Sequence, residues 1–286
     1  MRKLYSCLLL AIGFVVSAQE KPKESPHRLI FSAIGTLNKQ LEKPTAGKST
    51  IENGYQVGLG YRYYLNSKWS LGSGLEYQYY KTNTSLATLT DRYTTTDLEG
   101  DSFEYRYTAT AYSENQKMHY LAVPVTIQFE TTGPASWYVN VGMQVGFNLA
   151  ANYETSIDAL TTSGYYPQWN VELHDPKFIG FGTWSDFNSK KQDLELKTLF
   201  MLTAESGIKL QMTPKSNLYV GLYVNYGLND IKKEKVSQSP ITYNTNTPEK
   251  PIVNSLLYAT DNKGTSYLSQ FNLISFGIKL NWSWKI

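Results

Sequence analysis

From residue 55 to residue 65 the chain alternates: Tyr55, Val57, Leu59, Tyr61, Tyr63 and Leu65 form an apolar row, with Gln56, Gly58, Gly60, Arg62 and Tyr64 between them. The pattern repeats at once in Trp69, Leu71, Ser73, Leu75, Tyr77 and Tyr79, where Gly72, Gly74, Glu76 and Gln78 hold the intervening places. It returns over 121–129, 137–149, 218–228 and 274–286. Successive side chains of a strand point to opposite faces, so each run predicts a strand with one apolar face. Fainter alternation over 28–39 and 197–211 brings the expected number of strands to eight.

A soluble sandwich alternates too, so the connections decide. Segments 66–68, 131–136 and 212–217 have room only for tight turns, whereas 40–50, 82–117, 154–196 and 230–266 are long. Short turns at one end and long loops at the other mark a barrel of the outer-membrane type. The apolar rows run about ten residues, the length a tilted strand needs to cross a bilayer. Trp69 and Trp137 follow tight turns, and Trp282 and Trp284 close the last run. All four therefore collect at the short-turn end on the lipid-facing parity, as a membrane-interface girdle. An open sheet edge would leave unpaired backbone in lipid. The expectation is an all-β, eight-stranded antiparallel transmembrane β-barrel with short periplasmic turns and long extracellular loops.

A barrel of eight strands is filled by its own side chains. The inward parity supplies Arg62, Glu76, Glu205, Lys209 and Lys279, together with Tyr64, Asn140, Gln144, Tyr219, Tyr223 and Asn225. These are expected to form a hydrogen-bonded lumen network; a narrow passive channel is the alternative reading of the same residues. Pairing across the first tight turn sets Gly60 opposite Gly74 and Arg62 opposite Gly72, glycines that make room for large inward groups.

The N-terminus adds the compartment. Arg2 and Lys3, an apolar stretch over 4–16, and the small residues of Val16-Ser17-Ala18 ahead of Gln19 read as a signal peptide over 1–18, cleaved near Ala18. Residues 19–26 then form a periplasmic lead-in and 27–286 the barrel. Cys7 is the one cysteine and lies inside the leader, so thiol and disulfide chemistry are not expected of the mature protein. Lys and Arg number 27 against 24 Asp and Glu, and two of the three excess positive charges belong to the leader. That balance gives no footprint for nucleic acid, and none is expected as a partner.

With these residues the chain resembles the small outer-membrane β-barrel proteins of the Bacteroidota, the PorT-like group. The resemblance is carried by GYQVGLGYRYYLNSKWSLGSGLEY, HYLAVPVTIQF, VGMQVGFNL, YVGLYVNYGLNDI and the terminal ISFGIKLNWSWKI. It implies residence in the outer membrane, with membrane lipid and the barrel-insertion machinery as partners. In some members it also implies a subunit role in a secretion or envelope complex. The terminal strand looks like an insertion signal, although it ends on Ile286 instead of an aromatic residue.

Candidate chemistry is sparse. Ala46-Gly47-Lys48-Ser49-Thr50 echoes a phosphate loop, but Glu42 stands where its first glycine belongs and no helix follows. Of the three histidines, His119 has outward parity at the top of its strand, and His174 precedes Asp175 in the longest loop with Asp186 and Asp193 downstream. An outer-membrane hydrolase or lipid-modifying enzyme built on either histidine is the second functional reading. No metal or other cofactor is expected. The aromatic residues of the long loops weigh more: Tyr105, Tyr107, Tyr165, Tyr166, Trp169, Phe181 and Trp184. They support two readings that can hold together, a packed cap over the barrel and a binding surface for a partner, since Tyr and Trp anchor interfaces. Phe103, Tyr105, Tyr107, Ala109 and Ala111 alternate with polar residues, so the barrel wall is expected to continue outward there. The leading expectation is a non-enzymatic barrel that displays these loops.

Overall fold

A computed structural model describes residues 25–286 apart from Lys43, Ala46 and Lys235. The leader and its cleavage site lie outside the described residues. The alternating runs form strands β1 (His27–Gln40), β2 (Glu52–Tyr64), β3 (Trp69–Thr96), β4 (Ser102–Glu130), β5 (Ala135–Tyr166), β6 (Leu199–Thr213), β7 (Ser216–Gly227) and β8 (Leu273–Lys285). Each pairs antiparallel with the strands before and after it. β1 closes the ring on β8, from Arg28↔Lys285 to Gln40↔Leu273. The lower half of β5 pairs with β6, from Ala135↔Leu210 to Gly146↔Leu199. The result is a closed eight-stranded barrel.

The period-two pattern sorts side chains between lipid and lumen. Leu59, Leu222 and Val125 point outward and are 69%, 70% and 62% exposed, an apolar belt that membrane hydrocarbon covers. Trp69, Trp137, Trp282 and Trp284 lie at the tight-turn end of this belt. Trp282 and Trp284 pack together at 5.7 Å, and Trp69 packs on Phe129 at 5.1 Å. At the other end Tyr55, Tyr77, Tyr79 and His119 form a second aromatic cluster, with Tyr79 5.0 Å from His119. Between Trp69 and Tyr79 a tilted strand climbs about 25 Å, the height of the apolar band in such barrels.

Three strands do not stop there. β3, β4 and β5 are 28, 29 and 32 residues long, against 12 to 15 for the other five. This bears out the outward continuation expected over 103–111 and corrects the loop bounds of two segments. Segment 82–117 is a hairpin whose only non-strand residues are 97–101, where the Asp97 carboxylate accepts hydrogen bonds from the backbone N–H of Glu99 and Asp101. Segment 154–196 begins as strand up to Tyr166 and returns as short strands, Val171–Leu173, Gly182–Asn188 and Gln192–Asp193, all paired to β5. The physical reason is solvent. Above the lipid the outward face need not be apolar, so threonines such as Thr88, Thr90 and Thr108 replace the leucines and the alternation fades from view.

The extended wall is concave and apolar on its inner side. Against it packs the long segment 228–272, which contributes Ile241, Tyr243, Leu256, Leu257 and Phe271 to one buried cluster with Tyr105, Tyr112, Met118 and Leu160 of the wall. A second hydrophobic core thus sits outside the membrane, on top of the barrel.

Candidate functional site: the extracellular cap

Phe103 is the hub of the cap. Its ring stacks on Tyr166 at 5.2 Å and meets Phe181 at 5.5 Å and Tyr243 at 5.1 Å edge-on. Gly164 makes this possible, because a Cβ there would lie 2.2 Å from the Phe181 ring. Tyr105, Tyr107, Tyr166 and Phe181 are all buried in this core. That corrects the expectation of a binding surface for these four, whose rings the segment 228–272 and the return strands cover. Tyr105 meets Tyr243 at 5.5 Å, and the Tyr107 hydroxyl bonds Ser239 at 2.6 Å.

The other three aromatic residues lie further out. Trp169 is 59% exposed and stacks on Tyr166 at 5.3 Å, so its indole is held in place from below. Tyr165 lies under the Arg106 guanidinium, 4.7 Å from ring centroid to Cζ, and donates to Asn170 at 2.9 Å. Arg106 is pinned in turn by Glu104 and Glu172, each at 2.7 Å. The hydrogen bond to Glu104 is the main cause that raises the pKa of Arg106. Trp184 is half-buried beneath Lys177, whose ammonium lies 5.7 Å from its ring.

One buried carboxylate ties the cap together. Glu114, inside the wall on β4, accepts from Ser255 Oγ at 2.6 Å and Gln116 Nε2 at 2.8 Å on one oxygen. Its other oxygen accepts from the Leu256 N–H at 2.8 Å and the Tyr112 hydroxyl at 3.1 Å. Burial still pushes its carboxyl pKa up, against the pull of those four donors. Sequence reasoning passed over Glu114. The readable signal was a charge at inward parity in the row Tyr112, Glu114, Gln116, Met118.

Below the cap, the inward residues form a connected network. Lys279 lies between Glu76 at 3.1 Å and Glu205 at 3.8 Å. Glu205 also accepts from Asn281 at 2.8 Å and from the Tyr138 hydroxyl. Lys209 pairs with Glu130 at 2.8 Å, a carboxylate the sequence reading omitted and on which Tyr64 and Tyr219 both converge. Arg62 finds no carboxylate among the described residues and donates to Ser70, Thr126 and Asn140 at 3.2–3.4 Å. Gln144 accepts from Gln78 at 3.0 Å, and Tyr223 bonds Ser275 at 2.8 Å. A Cβ on Gly72 would lie 2.9 Å from Arg62 Nη2, so that glycine is the space the guanidinium occupies. The cavity left among these groups measures about 60 Å³, room for roughly four waters.

The histidines sit apart. His119 is in the middle of the lengthened β4, not at its top, because the strand runs on through the lipid border. Its Nδ1 is 2.6 Å from the Tyr77 hydroxyl, and its ring lies between Tyr77 and Tyr79. His174 is exposed on the chain after Leu173.

Solved structures of similar shape include neisserial surface protein A (12% identity, TM-score 0.37, covering 92% of this chain and 98% of that one). Others are the outer membrane protein OprG from Pseudomonas aeruginosa (12%, 0.36, 93% and 98%) and Ail, the attachment invasion locus protein of Yersinia pestis (10%, 0.33, 91% and 99%). No curated protein matches the chain in sequence. The model of one family, the outer membrane protein beta-barrel domain, matches residues 18–233, and with three-quarters of its length inside that match the chain belongs to this family of outer-membrane barrels.

Proposed function

We propose that the protein is a non-enzymatic binding or assembly component of the outer membrane, of the PorT-like Bacteroidota type, exported by a signal peptide cleaved near Ala18. Its apolar belt is solvated by membrane lipid, and β8 is the segment offered to the barrel-insertion machinery. The cap is the working part. The observation that carries this reading is the second core: evolution of a bare anchor has no use for a buried aromatic cluster above the membrane, whereas a recognition surface needs one to hold Tyr165 and Trp169 rigid. A hydrolase built on His119 is disfavoured by its setting, since the imidazole is engaged by a tyrosine among aromatic rings at the lipid border. A channel is disfavoured by salt bridges that cross the lumen.

The test is purification of the tagged, full-length protein from its native membrane in mild detergent, followed by native mass determination. The expected result is a stoichiometric second species, lost from the Tyr165→Ser/Trp169→Ser variant while the barrel itself remains folded. A lone barrel from both proteins would overturn the reading.

A further inference from the structure

A groove of about 420 Å³ runs along the cap between β3 and the segment 261–267. Its lining on the β3 side is consecutive: Leu86, then Thr88 through Arg92. One face of a strand contributes alternate residues, so a consecutive lining means that the groove opens on the strand's edge, where backbone N–H and C=O groups point. The pairing agrees. The short strand Lys48–Thr50 covers β3 only over Asn83–Ser85. From Leu86 to Thr96, among the described residues, the β3 backbone is paired to β4 alone. Apart from the Arg92 N–H, which the Asp91 carboxylate takes, these eleven residues offer a free edge outside the membrane, and none of them is a proline or lysine that would blunt it.

The lining also carries charge: the carboxylates Asp91 and Asp261, with the cations Arg92, which lies 3.6 Å from Glu104, and Lys263. Asp91 faces into it from the edge, and Asp261 faces it from the opposite wall. Asp91 accepts from the backbone N–H of Arg92 at 2.8 Å and of Asn262 at 3.4 Å; Asp261 accepts from those of Lys263 at 2.9 Å and Thr265 at 2.7 Å. Neither makes a salt bridge among the described residues. Burial, with repulsion from Asp261 added, raises the Asp91 carboxyl pKa, a penalty on the charged form that a cation seated between the two carboxylates would offset.

We infer that this groove binds an extended peptide segment of a partner protein, added as a strand to the edge of β3 at Leu86–Thr96, with a lysine or arginine of that segment set between Asp91 and Asp261. This rests on the cap being the binding element, and it names the class of partner. Main-chain hydrogen bonds supply affinity in this mode, and the alternate side chains supply selectivity.

The test uses the full-length protein in detergent and a labelled heptapeptide, Thr-Val-Lys-Val-Lys-Val-Thr, read by fluorescence anisotropy and hydrogen–deuterium exchange. Binding should protect amides of 86–96. It should weaken at least tenfold when alternate peptide nitrogens are methylated, and at least fivefold in Asp91→Asn/Asp261→Asn. A heptapeptide with glutamate for lysine should bind more weakly than the original and be insensitive to that double substitution. Equal binding by the methylated peptide overturns strand addition. Protection around Trp169 in place of 86–96 overturns the groove while leaving the cap as the binding surface. Absence of binding by any of these peptides, with the native partner still co-purifying, likewise overturns the groove alone.

Discussion

Glu114→Gln is the sharpest test of how the cap is held. The two carboxylate oxygens take four donors, and an amide offers one oxygen and one NH2 in the same space. If the amide oxygen replaces Oε1, the NH2 faces the Leu256 N–H, which cannot turn away, and the Tyr112 hydroxyl, which can. With the opposite orientation the NH2 faces Ser255, which can turn, and the Gln116 amide, whose own oxygen is already engaged by Thr82 at 2.8 Å. Either way one N–H is stranded in a buried site, a cost of about 1–3 kcal/mol. Against this stands relief from the buried charge. The Glu114 pKa is raised in the folded protein, so its charged form costs stability. The wild-type cap is therefore strongest at low pH and weakens as pH rises from the ordinary value of 4.5 through the raised folded value, then levels off. The Gln variant lacks that slope. Exchange of the Leu256 and Leu257 amides, read by mass spectrometry, should quicken in Glu114→Gln by roughly 5- to 150-fold at pH 5, the equivalent of that cost. The gap should narrow toward neutral pH. Unchanged exchange at pH 5, or a gap that widens with pH, would refute the assignment of Glu114 as the anchor.

The lumen and the aromatic core make separate predictions. Lys279→Met leaves Glu76 and Glu205 without their shared cation, and loss of a buried partner costs about 3–5 kcal/mol; the heat-induced mobility shift on gels should fall to lower temperature and recover in part in Lys279→Met/Glu76→Gln. Gly72→Ala places a Cβ against Arg62 and should cost about 1–3 kcal/mol, with most of that loss absent in an Arg62→Met background; additive effects would show that the glycine is not making room for arginine. Phe181→Ala empties the centre of the cap and should cost about 3–5 kcal/mol there, seen as rapid proteolysis of 228–272 with the barrel intact, whereas Trp169→Ala should leave that proteolysis unchanged.

Much of the barrel can be read directly from the chain because lipid enforces it. A strand in hydrocarbon must be apolar on one face, so Tyr55–Leu65 and its counterparts announce both their structure and their orientation. The inward charges follow by parity, and Lys279 meets Glu76 and Glu205 as residues that share one interior must. The cap is harder to read for the same reason in reverse. Above the membrane water satisfies the outer face, so β3 continues as Thr88, Thr90 and Thr94 with no apolar partner row to betray it. The inner face does carry a row, Phe103, Tyr105 and Tyr107, and it is legible as strand. What covers that row is not, because Tyr243, Leu256 and Phe271 come from a segment with almost no regular structure and more than a hundred residues away in sequence.

The continuity of β3, β4 and β5 bears on what the cap can do. The register that sets Trp69 opposite Phe129 in the membrane runs unshifted to Thr96 opposite Ser102 at the tip, and the one shift on the other side of β4 falls between His119 and Tyr120. A shift of the wall relative to the barrel would require slipping a ladder of more than twenty residue pairs, each slip turning the aromatic face toward water. The wall therefore stands at a fixed angle and height above the lipid, and the edge at Leu86–Thr96 is presented in one orientation. Such a surface favours partners that arrive by diffusion and dock without remodelling the barrel, and it disfavours a signal passed inward through the strands. A ligand that alters exchange in the cap should accordingly leave the lumen residues around Lys279 unchanged; altered exchange in lower β8 on peptide binding would show that the wall and the barrel move as coupled parts.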